Sequence, residues 1–74
     1  MFITYRDRPV ELTIVGNIVT DELILTCWDM SPDGGSWFSL CRDPDLGLVI
    51  RDGQRPIPVD LLQRVVVIAE SELD

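Results

Sequence analysis

The sequence predicts an α+β fold, a small antiparallel sheet of about five strands with one C-terminal helix packed on one face. Three observations lead to this prediction. Residues 10–14 alternate apolar and polar side chains, as a half-buried strand does. The turn signals between successive strands are short, which implies antiparallel neighbours. Residues 60–74 space their apolar side chains by three and four, as an amphipathic helix does.

Length and composition indicate one small folded domain over residues 1–74. The chain has 74 residues, of which 46% are hydrophobic and 26% are charged. This composition is far from that of disordered chains. A domain near this size buries only roughly 60% of the surface that its unfolded chain exposes. We therefore expect self-association or a partner to reinforce the core.

The N-terminal half of the chain predicts three strands. Residues 2–5 favour β-structure and form the first, and the alternating residues 10–14 form the second. The next turn has two solutions: a tight hairpin at residues 16–17, or a longer strand that turns at residues 20–22. Residues 23–28 are apolar on both faces except for one threonine, which predicts a central strand.

Two further strands follow a strong loop signal. Residues 31–35 read Ser-Pro-Asp-Gly-Gly and predict a loop before a strand at residues 37–41. A turn at residues 43–45 precedes a short fifth strand at residues 48–50. The glycine and two prolines of residues 52–58 then end any strand ladder.

The C-terminal segment decides the fold class. Asp60 is predicted to cap a helix, with Gln63 in the reciprocal capping position and Pro58 just before the start. The β-branched run at residues 65–68 opposes a helix, because such side chains lose rotamer freedom there. If that run is a strand instead, the chain suits a small all-β barrel of the SH3-like kind.

The charged residues exclude several chemistries. The chain has thirteen acidic and six basic residues, for a net charge of −7, and all six basic residues are arginine. With neither lysine nor histidine, the chain lacks a Schiff-base amine and an imidazole base or ligand. Nucleic acid is a poor direct partner, because the arginines are scattered and phosphate contacts need clustered positive charge. A protein partner with a basic surface fits the acidic chain better.

No motif supports catalysis or a cofactor. The segment 43–47 resembles the start of a calcium loop, but Leu48 and Gln54 stand where that loop needs glycine and glutamate. The paired carboxylates lie in predicted turns or at the chain end, and no serine has a base to activate it. We expect a protein that is not an enzyme, with no catalytic residue, metal or cofactor.

The cysteines and the chain's hydropathy favour the cytoplasm. Cys27 and Cys41 form no ligand pattern and are expected to be reduced and buried, although a single bridge between neighbouring strands is conceivable. No signal-peptide pattern and no apolar run of membrane-spanning length occurs. We therefore expect a soluble cytoplasmic protein that does not contact membranes.

Two tryptophans flank the Pro-Asp-Gly-Gly loop and define the candidate binding site. Strict alternation along the strand directs Trp37 away from Phe38 and Leu40, and hence onto the sheet face that a single helix leaves open. Trp28 joins it in one strand register, and the alternative is that both indoles complete the core. Exposed tryptophan is typical of protein interfaces. The predicted partner-binding residues are Trp28, Trp37, Asp29, Asp33, Asp43 and Asp45.

Two functions compete on this basis. The first is a protein-binding module, such as an inhibitor of a basic or nucleic-acid-binding partner. In size and charge the chain resembles small acidic accessory proteins of phages and mobile elements, some of which present carboxylates where phosphates would sit. The second is an assembly subunit, in which the apolar face or the edge strand at residues 2–5 closes a homo-oligomer such as a homodimer.

Overall fold

The fold is an antiparallel sheet in simple sequential order, followed by one helix. A computed structural model describes residues 1–53 and 55–73 of the chain. The elements are β1 (Phe2–Tyr5), β2 (Arg8–Asn17), β3 (Glu22–Asp29), β4 (Gly35–Asp43), β5 (Gly47–Gly53) and α1 (Val59–Glu72). The sheet order is β1-β2-β3-β4-β5, and every neighbouring pair is antiparallel. The predicted sheet of five strands with a C-terminal helix is confirmed, with most of the ordered structure in the sheet.

The turn after β2 follows the longer of the two predicted solutions. β2 continues through Gly16 and Asn17, whose partners on β3 are Leu23 and Glu22. The turn occupies residues 18–21, and Asp21 takes a positive φ of 54° there. Asp tolerates this left-handed conformation better than most residues do. The outcome is a long hairpin rather than a tight one.

The helix covers one face of the sheet and builds the core against it. Leu61, Val65 and Ala69 are fully buried on α1, at the three-and-four spacing that the sequence predicts. They pack against the side chains of four strands. The buried sheet residues of this cluster are Tyr5, Val10, Leu12, Leu25, Cys27, Trp37, Phe38 and Leu40.

The start of the helix differs from the prediction. The N-cap position is Pro58, which makes no side-chain capping bond, so the predicted capping role of Asp60 is wrong. Asp60 lies inside the first turn, where its carboxylate binds Tyr5 and Arg6. The strand alternative for residues 65–68 is also wrong. Complete burial of Val65 offsets the low helix propensity of the β-branched run.

A β-bulge at Trp37 changes which way this residue faces. Cys27 pairs with Phe38, but the next residue of β3, Trp28, pairs with Ser36. Trp37 is therefore the extra residue of the bulge, and strict alternation fails there. Trp37 and Phe38 both join the core beneath the helix, with exposed fractions of 5% and 0%. The prediction that Trp37 lies on the open face is wrong for this reason.

Two predicted positions fall outside the described part of the chain. Gln54 belongs to the predicted loop at residues 52–58, and Asp74 ends the predicted helical segment; neither is described. Within residues 1–53 and 55–73, no helix combines the length and hydrophobicity that crossing a membrane requires.

Candidate functional site

The open face of the sheet carries Trp28 but is polar at its centre. Thr13, Thr26 and Ser39 are strand partners in one row across β2, β3 and β4. Thr26 and Ser39 share a hydrogen bond of 3.0 Å between their hydroxyls, and the indole N–H of Trp28 donates to Thr13 Oγ1 at 2.8 Å. Trp28 is 37% exposed. The indole therefore lies against polar neighbours. The apolar row of this face lies two residues further along the strands and consists of the strand partners Val15, Ile24, Cys41 and Val49, so Trp28 is not at the centre of an apolar surface.

Trp37 instead belongs to a buried cluster near the N-terminal end of α1. Its ring meets Tyr5 edge to face, with centroids 6.1 Å apart, and its indole N–H donates to the Pro56 carbonyl at 3.0 Å. The Arg55 guanidinium lies over the same ring, 4.6 Å from its centroid. The polar N–H of Trp37 is thus satisfied inside the protein, as a buried indole requires.

Asp29, expected at the rim of a binding surface, is buried and neutralised within the protein. Its side chain has no exposed area, and Arg8 and Arg55 both donate to its Oδ2. The Ser31 hydroxyl and backbone N–H bind its Oδ1 at 2.6 and 3.1 Å. These hydrogen bonds, that of the Ser31 hydroxyl foremost, hold the pKa of Asp29 below its ordinary value although burial acts to raise it. The carboxylate stays charged and organises the surrounding loop.

The remaining predicted residues lie at opposite ends of the sheet. Asp33 lies in the β3–β4 loop, at the same end as Trp28. Asp43 ends β4 and Asp45 lies in the following turn. Asp43 is roughly 23 Å from Ser36, the strand partner of Trp28, at about 3.3 Å per strand residue. The six predicted residues therefore do not form one surface.

The two most exposed large apolar residues of the described chain lie at the end that holds Asp43. We call the segment 14–23, the distal part of the β2–β3 hairpin, the arm. β1 pairs with β2 only near Val10, and β4 meets β3 first at Ile24, so the tip of the arm extends beyond its neighbours. Ile18 is 99% exposed and Val19 is 93% exposed. Val15 and Leu23 are also exposed, on opposite faces of the arm.

Two turns of the same design border this end. Asn17 Oδ1 accepts the backbone N–H groups of Val19 and Thr20, at 3.0 and 3.4 Å. Asp43 Oδ1 accepts those of Asp45 and Leu46, at 2.8 and 2.9 Å. Such side-chain hydrogen bonds fix the turn conformation of the backbone, so the turn does not depend on packing of the neighbouring apolar side chains. Both turns therefore hold apolar side chains outward, and Leu46 is 78% exposed.

Carboxylates surround these apolar side chains. We call the turns at residues 18–21 and 44–46, with the groove of about 650 Å³ between them, the acidic end. Arg42 and Arg51 also line this region; Arg51 pairs with Glu22 and Arg42 donates to the Leu73 carbonyl. The last turn of α1 has no basic residue, and the negative end of the helix dipole points the same way. The carboxylates here are Asp21, Glu22, Asp43 and Asp45.

The cysteines are structural. Both thiols are free and buried, as the sequence predicts. Cys27 lies under the helix and Cys41 on the opposite face, in register with Ile24, so no bridge joins them. Burial raises the pKa of the Cys27 thiol to about 11, which makes it unreactive near neutral pH. Among residues 1–53 and 55–73, no group of three or more His, Cys, Asp or Glu is placed to hold a metal ion.

Sequence reasoning missed the apolar half of the acidic end. Ile18, Val19 and Leu46 each follow a turn former, Asn17 or the Asp43–Asp45 segment. An apolar residue at such a position has no strand face to occupy, and this is the signal that identifies it. Whether it is exposed depends on how far the hairpin extends, which alternation alone does not determine.

Comparison with known proteins gives no relative for this fold or surface. No family model, no curated protein and no solved structure matches the chain.

Proposed function

We propose that the protein is a non-enzymatic protein-binding module that contacts its partner through the acidic end. The observation that carries this proposal is the near-complete exposure of Ile18 and Val19 at the tip of a hydrogen-bonded arm. Leaving such side chains in water costs about 1.5–3 kcal/mol each relative to burial. Exposed apolar groups with a polar rim are characteristic of protein contact sites.

Charge supports a partner with a basic surface. The carboxylates of the acidic end outnumber its arginines, and the whole chain carries a net charge of −7. Complementary charge accelerates encounter and selects among partners, whereas the apolar side chains supply most of the affinity. The partner therefore carries a basic rim around an apolar recess. An inhibitor of a nucleic-acid-binding protein is one member of this class.

A second copy of the chain is the alternative occupant, and one observation favours it. Residues 12–20 contain no charged side chain and no proline. An uncharged strand edge is where two copies of an acidic protein can approach with least repulsion. A homodimer through the arm is thus the second candidate function.

Site-specific photo-crosslinking tests the proposal. A benzoylphenylalanine replaces Ile18 in one variant and Val67 in the control, because Val67 is also apolar and is 70% exposed on the solvent side of α1. We expect crosslinks in cells at position 18 and none at position 67. When the crosslinking is repeated in a cell lysate, weaker crosslinking at high salt than at low salt would agree with a basic partner.

The mass of the crosslinked product separates the two occupants. A crosslinked product that contains a different protein supports the partner, whereas a product with twice the 8.4 kDa mass of the chain supports the homodimer. Equal crosslinking at both positions, or none at position 18, would contradict the proposed surface. A benzoylphenylalanine at position 28 tests, in the same experiment, the open sheet face on which the sequence predicts partner binding.

A further inference from the structure

Three arginines converge at the other end of the molecule, beside the N-terminus of α1. Arg6, Arg8 and Arg55, half of the six basic residues of the chain, line one groove of about 410 Å³. We call it the arginine groove. The remaining lining residues are Tyr5, Trp37, Pro58 and Asp60. Asp7 and Asp33 belong to neighbouring turns and do not line it.

One buried carboxylate serves two of these guanidiniums. Arg8 and Arg55 both donate to Asp29 Oδ2, at 3.1 and 3.3 Å. The Asp29 side chain is completely buried, whereas those of Arg8 and Arg55 are 51% and 35% exposed. Positive charge therefore faces the groove while the compensating negative charge lies behind it.

The guanidiniums are held in place and keep free donors. Arg55 stacks on Trp37, and Arg6 is fixed by its Nε–H bond to the Tyr5 hydroxyl at 3.1 Å. A guanidinium has five N–H donors, and Arg8 uses one of them on Asp29. Such prearranged donors match an oxyanion at little cost in side-chain entropy.

The helix adds to the field in the groove, and one carboxylate opposes it. Pro58 caps α1 without a side-chain acceptor, and in the first turn Asp60 Oδ1 accepts the Leu61 backbone N–H at 3.0 Å, so this carboxylate partly offsets the positive end of the helix dipole. Asp60 binds Arg6 through Oδ2 at 3.3 Å and is 55% exposed on its side chain. Counting Asp29 and Asp60 against the three arginines, the groove retains one unit of positive charge.

We propose that the arginine groove is a binding site for a carboxylate group of an organic ligand or peptide. One net positive charge matches one carboxylate, and the forked guanidiniums can bind both of its oxygens. Pro58 and Tyr5 line the same groove and offer apolar contacts for the carbon atom that carries the carboxylate. The site is independent of the acidic end and of the function proposed for it.

A titration with benzoate tests the proposal, with the neutral isostere benzamide as the matched ligand control. The readout is the Nε–Hε NMR signal of each arginine in low salt. We expect benzoate to shift the signals of Arg6, Arg8 and Arg55 in a saturable way, and to leave that of Arg42 at the acidic end unchanged. Benzamide should shift none of them.

Two variants distinguish a binding site from a purely structural cluster. Asp60→Asn removes the competing charge, so benzoate should bind about threefold more tightly. Arg6→Gln should weaken binding by a similar factor, and it leaves the fold intact because the Arg6 side chain is 74% exposed. Arg42→Gln, which removes one positive charge elsewhere, is the control and should change the affinity little.

The remaining outcomes overturn the proposal. Equal, non-saturating shifts at Arg42 would mean that benzoate senses only general charge. Unchanged benzoate affinity in Asp60→Asn would mean that the net charge of the arginine groove does not govern binding, and that its arginines serve only the structure of the protein. Inorganic phosphate binding roughly tenfold more tightly than benzoate would replace the carboxylate with a phosphate group as the ligand.

Discussion

The guanidinium of Arg55 lies over the indole of Trp37, 4.6 Å from the ring centroid. Arg55 also donates to Asp29, so the stacked pair ties the loop before α1 to the end of β3. This arrangement depends on the bulge that turns Trp37 toward the helix. One irregular residue thus converts a candidate interface residue into a structural anchor.

The two tryptophans should differ sharply in their contribution to stability. Trp37→Ala removes a buried indole and is expected to lower the free energy of unfolding by about 3–5 kcal/mol. Trp28→Ala removes a partly exposed indole with one hydrogen bond, and about 0.5–1.5 kcal/mol should be lost. Urea denaturation of both variants measures the difference. Equal losses would contradict the bulge geometry.

Asp29 should make stability depend on acid pH. Its pKa is lowered in the folded state, so its contribution is present above the unfolded pKa of about 3.9 and is lost as the pH falls through the folded pKa. Asp29→Asn should lower the free energy of unfolding by about 1.5–3 kcal/mol at pH 7. It should also weaken the dependence of that free energy on pH in the acid range. Unfolding curves from pH 7 to pH 2 report both effects. Asp33→Asn, an exposed change in the adjacent loop, should follow the wild-type curve.

Gly34 should be essential to the loop that encloses Asp29. A Cβ at this position would lie 2.0 Å from the Asp29 backbone carbonyl oxygen, and a backbone atom has little room to yield. Gly34→Ala is expected to destabilise the protein by about 1–3 kcal/mol. Gly16→Ala is the matched control, since its Cβ meets only the flexible end of Leu23, and its effect should stay within about 0.5 kcal/mol. Thermal unfolding of the two variants measures the difference. An unchanged stability of Gly34→Ala would show that the loop rearranges freely.

The outer edge of β2 should exchange its amide hydrogens rapidly in the monomer. Leu12 exchanges two backbone hydrogen bonds with Met1, so in antiparallel geometry the N–H groups of Ile14 and Gly16 point to the same outer side. Within the described part of the chain, no strand pairs with that edge past Leu12. Hydrogen exchange at Ile14 and Gly16 should be at least about 100-fold faster than at Thr13 and Val15. Concentration-dependent protection of Ile14 and Gly16 would instead indicate pairing with a second copy.

Local patterns were sufficient for most of the fold. Alternation at residues 10–14 and three-and-four spacing around Leu61, Val65 and Ala69 identified the sheet and the helix, because a side chain's direction follows from its position in a regular element. Asp43 and Asp45 were identified as turn residues for a similar local reason. The predictions were wrong where the regular structure is interrupted, namely at the bulge that contains Trp37 and at the start of α1 near Asp60.

The sequence by itself determined the α+β class and the acidic character of this protein, since both depend on residue type and short-range spacing. Only the tertiary structure decided that Trp37 is buried and that Ile18 and Val19 are exposed. It also decided that Arg8 and Arg55 meet at Asp29, residues that lie far apart along the chain. Strand register and bulges bring such residues together, and these are settled by packing energy summed over the whole sheet rather than by any local pattern.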